Sequence, residues 1–320
     1  MRHKMLLVGL YSLAMTCSGQ QGWYPHEGGQ LHYRVNIRFG EEPDTMPAGW
    51  KFGRVSAVAT DAAGRVYVAQ RGEKADPVVV FDAKGKYLYS WGKGVFVNPH
   101  AVRVDREGNL WTTDTGTHQI LKFTPEGRLL MALGVKGQAG ADAKSFNRPT
   151  DVAFTASGDF FVSDGYGNSR IVKFSADGKY LFEWGKRGSA PGEFNLPHAV
   201  VIDSKGRLYV SDRENNRIQI FDGAGKFIRQ WTHLGATQGI FMTPKDELWI
   251  VTHRDNVENS TYDTLAGRIM RIDPETGKIL GSMESPGHWL TVTAAGEIFV
   301  ASLTGNVFRW YPGWVVKPVE

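Results

Sequence analysis

One cysteine, Cys17, stands among 320 residues, so the chain forms no disulfide of its own. A large β core can replace such staples even in an exported protein. Convincing long runs of apolar residues at helical spacing are missing from the mature chain, which argues against a helical architecture. There is no Arg-rich helix or basic stripe, and the formal charge is only +4, part of it from the first four residues, which argues against nucleic acid as a partner. Histidine is scarce, nine residues in all, so any regular placement of it is informative. The apolar stretch Met5 to Met15 is too short to span a membrane comfortably. With Arg2-His-Lys before it and Thr16-Cys-Ser-Gly after it, it reads as a signal peptide over residues 1–21. Cleavage nearby is expected, with a lipoprotein anchor at Cys17 as the alternative; Ala14-Met-Thr fits a lipid-attachment signal poorly.

What the chain does have is a repeat. Ala62-Ala-Gly-Arg-Val-Tyr-Val, Glu107-Gly-Asn-Leu-Trp, Ser157-Gly-Asp-Phe-Phe-Val, Lys205-Gly-Arg-Leu-Tyr-Val, Lys245-Asp-Glu-Leu-Trp-Ile and Ala295-Gly-Glu-Ile-Phe-Val are six copies of one turn and strand. A period of roughly 40 to 50 residues, built from short alternating strands and Gly or Asp turns, is that of propeller blades. Hydrophobic residues make up 42% of the chain, ample for one all-β domain of this length. The expectation is a single six-bladed β-propeller over residues 22–320, with almost no helix. Residues from about Gly22 to Gly40, Leu31 to Phe39 among them, alternate like a strand but precede the first copy, and the last copy, Leu290 to Trp314, is short. The N-terminal strand is therefore expected to complete the last blade and close the ring.

Eight residues before the turn residue of each copy stand Ser56, His100, Thr150, His198, Gln238 and His288. Histidine occupies alternate copies. In a six-bladed ring those positions form a triangle, so three imidazoles would face one another across the central channel. Three neutral imidazoles leaving a fourth position open are the ligand set of a catalytic zinc. Taken one at a time, each His reads as a polar residue capping an inner strand; the alternation of all three favours the metal.

Antiparallel connectivity returns the loop after the second strand of each blade to the same face as the histidines. Those loops offer Arg71, Tyr166, Arg213, and His253 with Arg254. A tyrosine hydroxyl beside a metal and guanidinium groups can act as a base. Asp164, Asn168 and Arg170 recur as Asp212, Asn215 and Arg217, the pattern of side chains that tie a loop within its blade. They read as scaffold. His118 and His233 have no repeat partner and stay unassigned.

Phe146-Asn-Arg-Pro-Thr-Asp-Val, Asp164-Gly-Tyr-Gly-Asn-Ser-Arg-Ile-Val-Lys-Phe, Leu196-Pro-His and Asp212-Arg-Glu-Asn-Asn-Arg-Ile-Gln resemble the peptidyl-α-hydroxyglycine α-amidating lyase family, built on NHL-type repeats. The likeness runs from about residue 55 to 310 and is densest between 146 and 221. It implies a six-bladed propeller whose zinc is held by His100, His198 and His288. The family's active-site tyrosine falls on Tyr166 and its arginines on Arg71 and Arg213. The implied reaction splits a C-terminal α-hydroxyglycine into an amide and glyoxylate. The family's calcium uses two backbone carbonyls, matching Val58 and Val102, and an Asp after the third His; here that residue is Trp289, which counts against Ca2+. Pro286 and Gly167 replace a Met and a Cys of the family pattern. No copper-dependent hydroxylating domain is recognised, so the substrate is expected from another protein.

The resulting expectation is an exported monomer, periplasmic or extracellular, with a channel zinc and lyase activity on a peptide or small-molecule substrate. A zinc lyase or hydrolase acting on another small molecule, and a non-catalytic binding propeller, are the alternatives.

Overall fold

A computed structural model describes residues 22–23, 31, 33–40, 46–252, 267–285 and 287–313. The signal segment with Cys17, and His253, Arg254 and Pro286, lie outside the described residues. Among the described residues no helix is long and apolar enough to cross a membrane.

Six small antiparallel sheets make a six-bladed β-propeller. The five sheets that follow one another from residue 55 to residue 284 each contain four strands in chain order, and we number these blades 1 to 5. Blade 6 takes Trp289–Val292, Ile298–Ser302 and Asn306–Pro312 from the end of the chain. Tyr33–Asn36 supplies its fourth strand, pairing Val35 with Trp310 and Tyr33 with Pro312. Gly22–Trp23 adds a short fifth strand. The N-terminal strand thus closes the ring, as its alternation predicted, and the extra two-residue strand is additional. The helical content described is a single 3-10 turn, Arg213–Asn215.

Burial follows position within the blade. The second strands, such as Val66–Gln70 and Leu208–Asp212, are buried along their whole length, because both faces meet a neighbouring blade. The outer strands Leu129–Leu133 and Tyr180–Trp184 are exposed or half-buried at every residue. Between strands the chain turns on a repeated Asp and Gly device. The Gly64 amide bonds the Asp61 carbonyl at 3.0 Å while the Asp61 carboxylate accepts the amides of Ala63 and Arg65.

Blades also lock through tryptophan. Trp184 ends the outer strand of blade 3 and lies against Phe221 of blade 4 with ring centroids 5.5 Å apart. The indole rests on Gly225, whose φ of +80° suits glycine and where a Cβ would approach the ring to 2.8 Å. Trp91 meets Gly127, and Trp231 meets Gly277, in the same way.

Candidate metal centre

The inner strands begin Val55–Thr60, Pro99–Val104, Asp151–Phe154, Pro197–Ile202, Thr237–Met242 and Trp289–Val292. The six ring positions lie within one residue of these starts, and all six are buried. His100, His198 and His288 converge: their ligand nitrogens lie within 4.8 Å of one another, and the imidazole centroids are 4.8, 4.9 and 5.0 Å apart.

The other three ring positions orient the imidazoles. His100 Nδ1 donates to the Thr150 carbonyl at 2.7 Å, His198 Nδ1 to the Gln238 carbonyl at 2.6 Å, and His288 Nδ1 to the Ser56 carbonyl at 2.6 Å. A carbonyl oxygen can only accept, so each Nδ1 carries the proton and each Nε2 turns its lone pair inward. Every histidine therefore uses the equivalent residue of the next blade as its partner. Nε2 of His100 stands 3.2 Å from Nε2 of His198. Two lone pairs at that separation repel, and a shared cation removes the repulsion. Burial first, then neighbouring charges, holds His100 and His198 well below the usual imidazole range, which keeps them neutral and able to coordinate.

Tyr166 closes one side of the triangle. Its hydroxyl is 3.1 Å from His100 Nε2 and 3.0 Å from His198 Nε2. The loop is set by its backbone: the Tyr166 amide donates to the Arg148 carbonyl at 3.3 Å, as the Arg71 amide does to Arg54 and the Arg213 amide to Leu196. Asp164 holds the same loop by accepting from the Asn147 amide, Asn168 and Arg170. Asp212 does so through the Asn195 amide, Asn215 and Arg217. These six residues are the scaffold their recurrence predicted.

Three guanidiniums stand at this mouth. Arg71 is half-buried, and its Nε donates to the Pro99 carbonyl at 2.9 Å, directly before His100. Burial lowers its pKa, with attraction to Tyr166 opposing the shift. Arg213 lies with Cζ 5.6 Å from the Tyr166 ring centroid, bonds Gln238 Oε1 at 3.2 Å, and pairs with Glu214 at 2.8 Å. The third, Arg148, was not singled out from the sequence. Its Cζ is 5.2 Å from the Tyr166 centroid, it is exposed, and its φ of +61° is fixed where its amide donates to His118 Nδ1 at 3.0 Å. Its place just before Pro149 and the ring residue Thr150 was the available signal. His233 Nε2 donates to the Gly277 carbonyl at 2.9 Å, a link between blades remote from the triangle.

Val58 and Val102 are buried in the inner strands of blades 1 and 2. Trp289, where the resemblance called for an Asp, is fully buried with its indole against His100 at 5.9 Å between centroids. Among the described residues, the three histidines are the group of His, Cys, Asp or Glu side chains gathered closely enough to hold an ion.

The model of the NHL repeat matches residues 96–123, 146–174 and 194–221. Over 241 residues the chain is 36% identical to Peptidyl-glycine alpha-amidating monooxygenase of Mus musculus, a match covering 65% of this chain and 24% of that protein. It is 36% identical over 204 residues to Peptidyl-alpha-hydroxyglycine alpha-amidating lyase 1 of Drosophila melanogaster, covering 53% and 38%. It is also 32% identical over 203 residues to NHL repeat-containing protein 3 of Homo sapiens, covering 60% and 57%. The chain therefore spans about a quarter of the mouse protein's length. A solved structure titled Streptogramin B lyase shares the fold, with a TM-score of 0.58, 17% identity, and 88% and 98% of the two chains covered.

Proposed function

We propose that this NHL-repeat propeller, homologous to proteins named as amidating lyases, is a zinc lyase that splits an α-hydroxyglycine-type carbinolamide into an amide and glyoxylate. The observation that carries the reading is the orientation of the triangle: three Nδ1 protons committed to carbonyls, three lone pairs turned inward, and two of those nitrogens 3.2 Å apart. The donor set suits zinc, being three buried imidazoles with ligand positions to spare. Bound there, the metal would supply a Lewis acid that makes an α-hydroxyl more acidic.

The chain's own groups supply the rest. Tyr166, within 3.1 Å of two ring nitrogens, is placed to take the α-hydroxyl proton of a substrate lodged in the triangle. The O–H electron pair then forms the carbonyl, the C–N bond breaks, and the amide nitrogen gains a proton. No oxidant and no water are consumed. Arg71 and Arg213, with Arg148 at the rim, put positive charge where the substrate's carboxylate would lie. Export through the charged and apolar start of the chain belongs to the same proposal.

Glyoxylate release from α-hydroxyhippurate by the zinc-loaded protein tests the reaction. Tyr166→Phe should keep its metal and lose kcat by roughly 10²- to 10⁴-fold, the usual worth of a positioned acid or base. Absence of glyoxylate from the zinc-loaded wild type would overturn the lyase reading. A metal-free protein that copurifies with a partner would favour a binding propeller.

A further inference from the structure

Beneath the histidine triangle the channel is crossed by a charged side chain. Arg103 leaves the inner strand of blade 2, three residues after His100, and is buried. Its Nε and Nη2 bind the two carboxylate oxygens of Asp151 in blade 3 at 3.0 and 2.7 Å. Nη2 also donates to the Ile240 carbonyl of blade 5, on the opposite side of the ring, at 2.9 Å. The guanidinium lies 4.5 Å from the Trp289 ring centroid in blade 6. Asp151 in turn accepts the Val200 amide of blade 4 at 2.9 Å. One ion pair thus links five inner strands.

The places it reaches are the neighbours of the metal centre. Asp151 follows Thr150, whose carbonyl orients His100. Ile240 is two residues after Gln238, whose carbonyl orients His198, and Val200 is two after His198 itself. Trp289 follows His288. A burial this complete costs solvation that a well-packed apolar pair would not cost, so stability alone is a poor reason for it.

We infer that Arg103 is a positioning residue: a strut that fixes the spacing of the inner strands, and through them the distances among the three imidazoles. This rests on reading the triangle as a metal site. The strut also stands across the channel, so substrate reaches the triangle from the Tyr166 mouth.

The test uses the full chain carrying Arg103→Met together with Asp151→Asn, which removes both charges and leaves no orphaned ion. If the pair serves only the fold, this exchange shifts the melting temperature and leaves the zinc affinity of the folded protein at the wild-type value. The strut predicts a folded double variant whose zinc affinity, measured by chelator competition below the melting transition, falls about 10- to 100-fold, the usual loss when outer-shell support is removed. Unchanged zinc affinity would overturn the inference alone. A wild type that binds no zinc would overturn both it and the metal reading. Should the double variant fail to fold, Arg103→Lys keeps the positive charge beside Asp151, gives up the forked reach to both Asp151 and the Ile240 carbonyl, and decides by the same affinity comparison.

Discussion

Each histidine of the triangle is fixed at both ends, by a carbonyl at Nδ1 and by convergence at Nε2. This sets a sign for the pH response. His100 and His198 have folded pKa values depressed by burial, so below the unfolded value of about 6.5 the unfolded chain binds protons that the folded chain does not. Folding stability of the metal-free protein should be full above pH 6.5 and fall as the pH drops below it. The slope should be about 1.4 kcal/mol per pH unit for each histidine that stays neutral in the folded state. Urea midpoints between pH 7.5 and 5 measure it; a midpoint flat across that range would contradict the buried, neutral imidazoles.

At the scale of elements, the joint between blades is the weak place to probe. Gly225→Ala would bring a methyl to within 2.8 Å of the Trp184 ring, at a backbone φ of +80°. Strain and displaced packing together should cost about 1–3 kcal/mol, read as a lower melting temperature with zinc stoichiometry unchanged. A melting temperature equal to wild type would show that the tryptophan does not bear on that turn. The strands and turns were legible because alternation repeats in every blade, together with a turn that opens on Asp or Thr and has Gly three residues on in five of the six copies. Even the exception, Asp246, keeps the turn at a φ of +59°. Loops were less so. Arg148 reads as an ordinary loop cation, and its stack on Tyr166 joins it to a loop 18 residues along the chain.

Across the whole molecule, the ring brings together side chains 98 and 188 residues from His100. Counting copies sufficed to find the triangle, because equivalent positions in a closed ring share one radius and one height. It did not find Arg103, whose partners are a carboxylate, a backbone carbonyl and an indole in blades 3, 5 and 6, a relation no single repeat contains. Closure by Tyr33–Asn36 onto Asn306–Pro312 maintains that geometry, since an open ring would let the first and last blades part. Metal analysis of the purified protein, with His198→Ala alongside, tests the central claim most directly. One zinc per chain, absent from the variant, is the expected result. No bound metal in the wild type, even after zinc is resupplied, would contradict it.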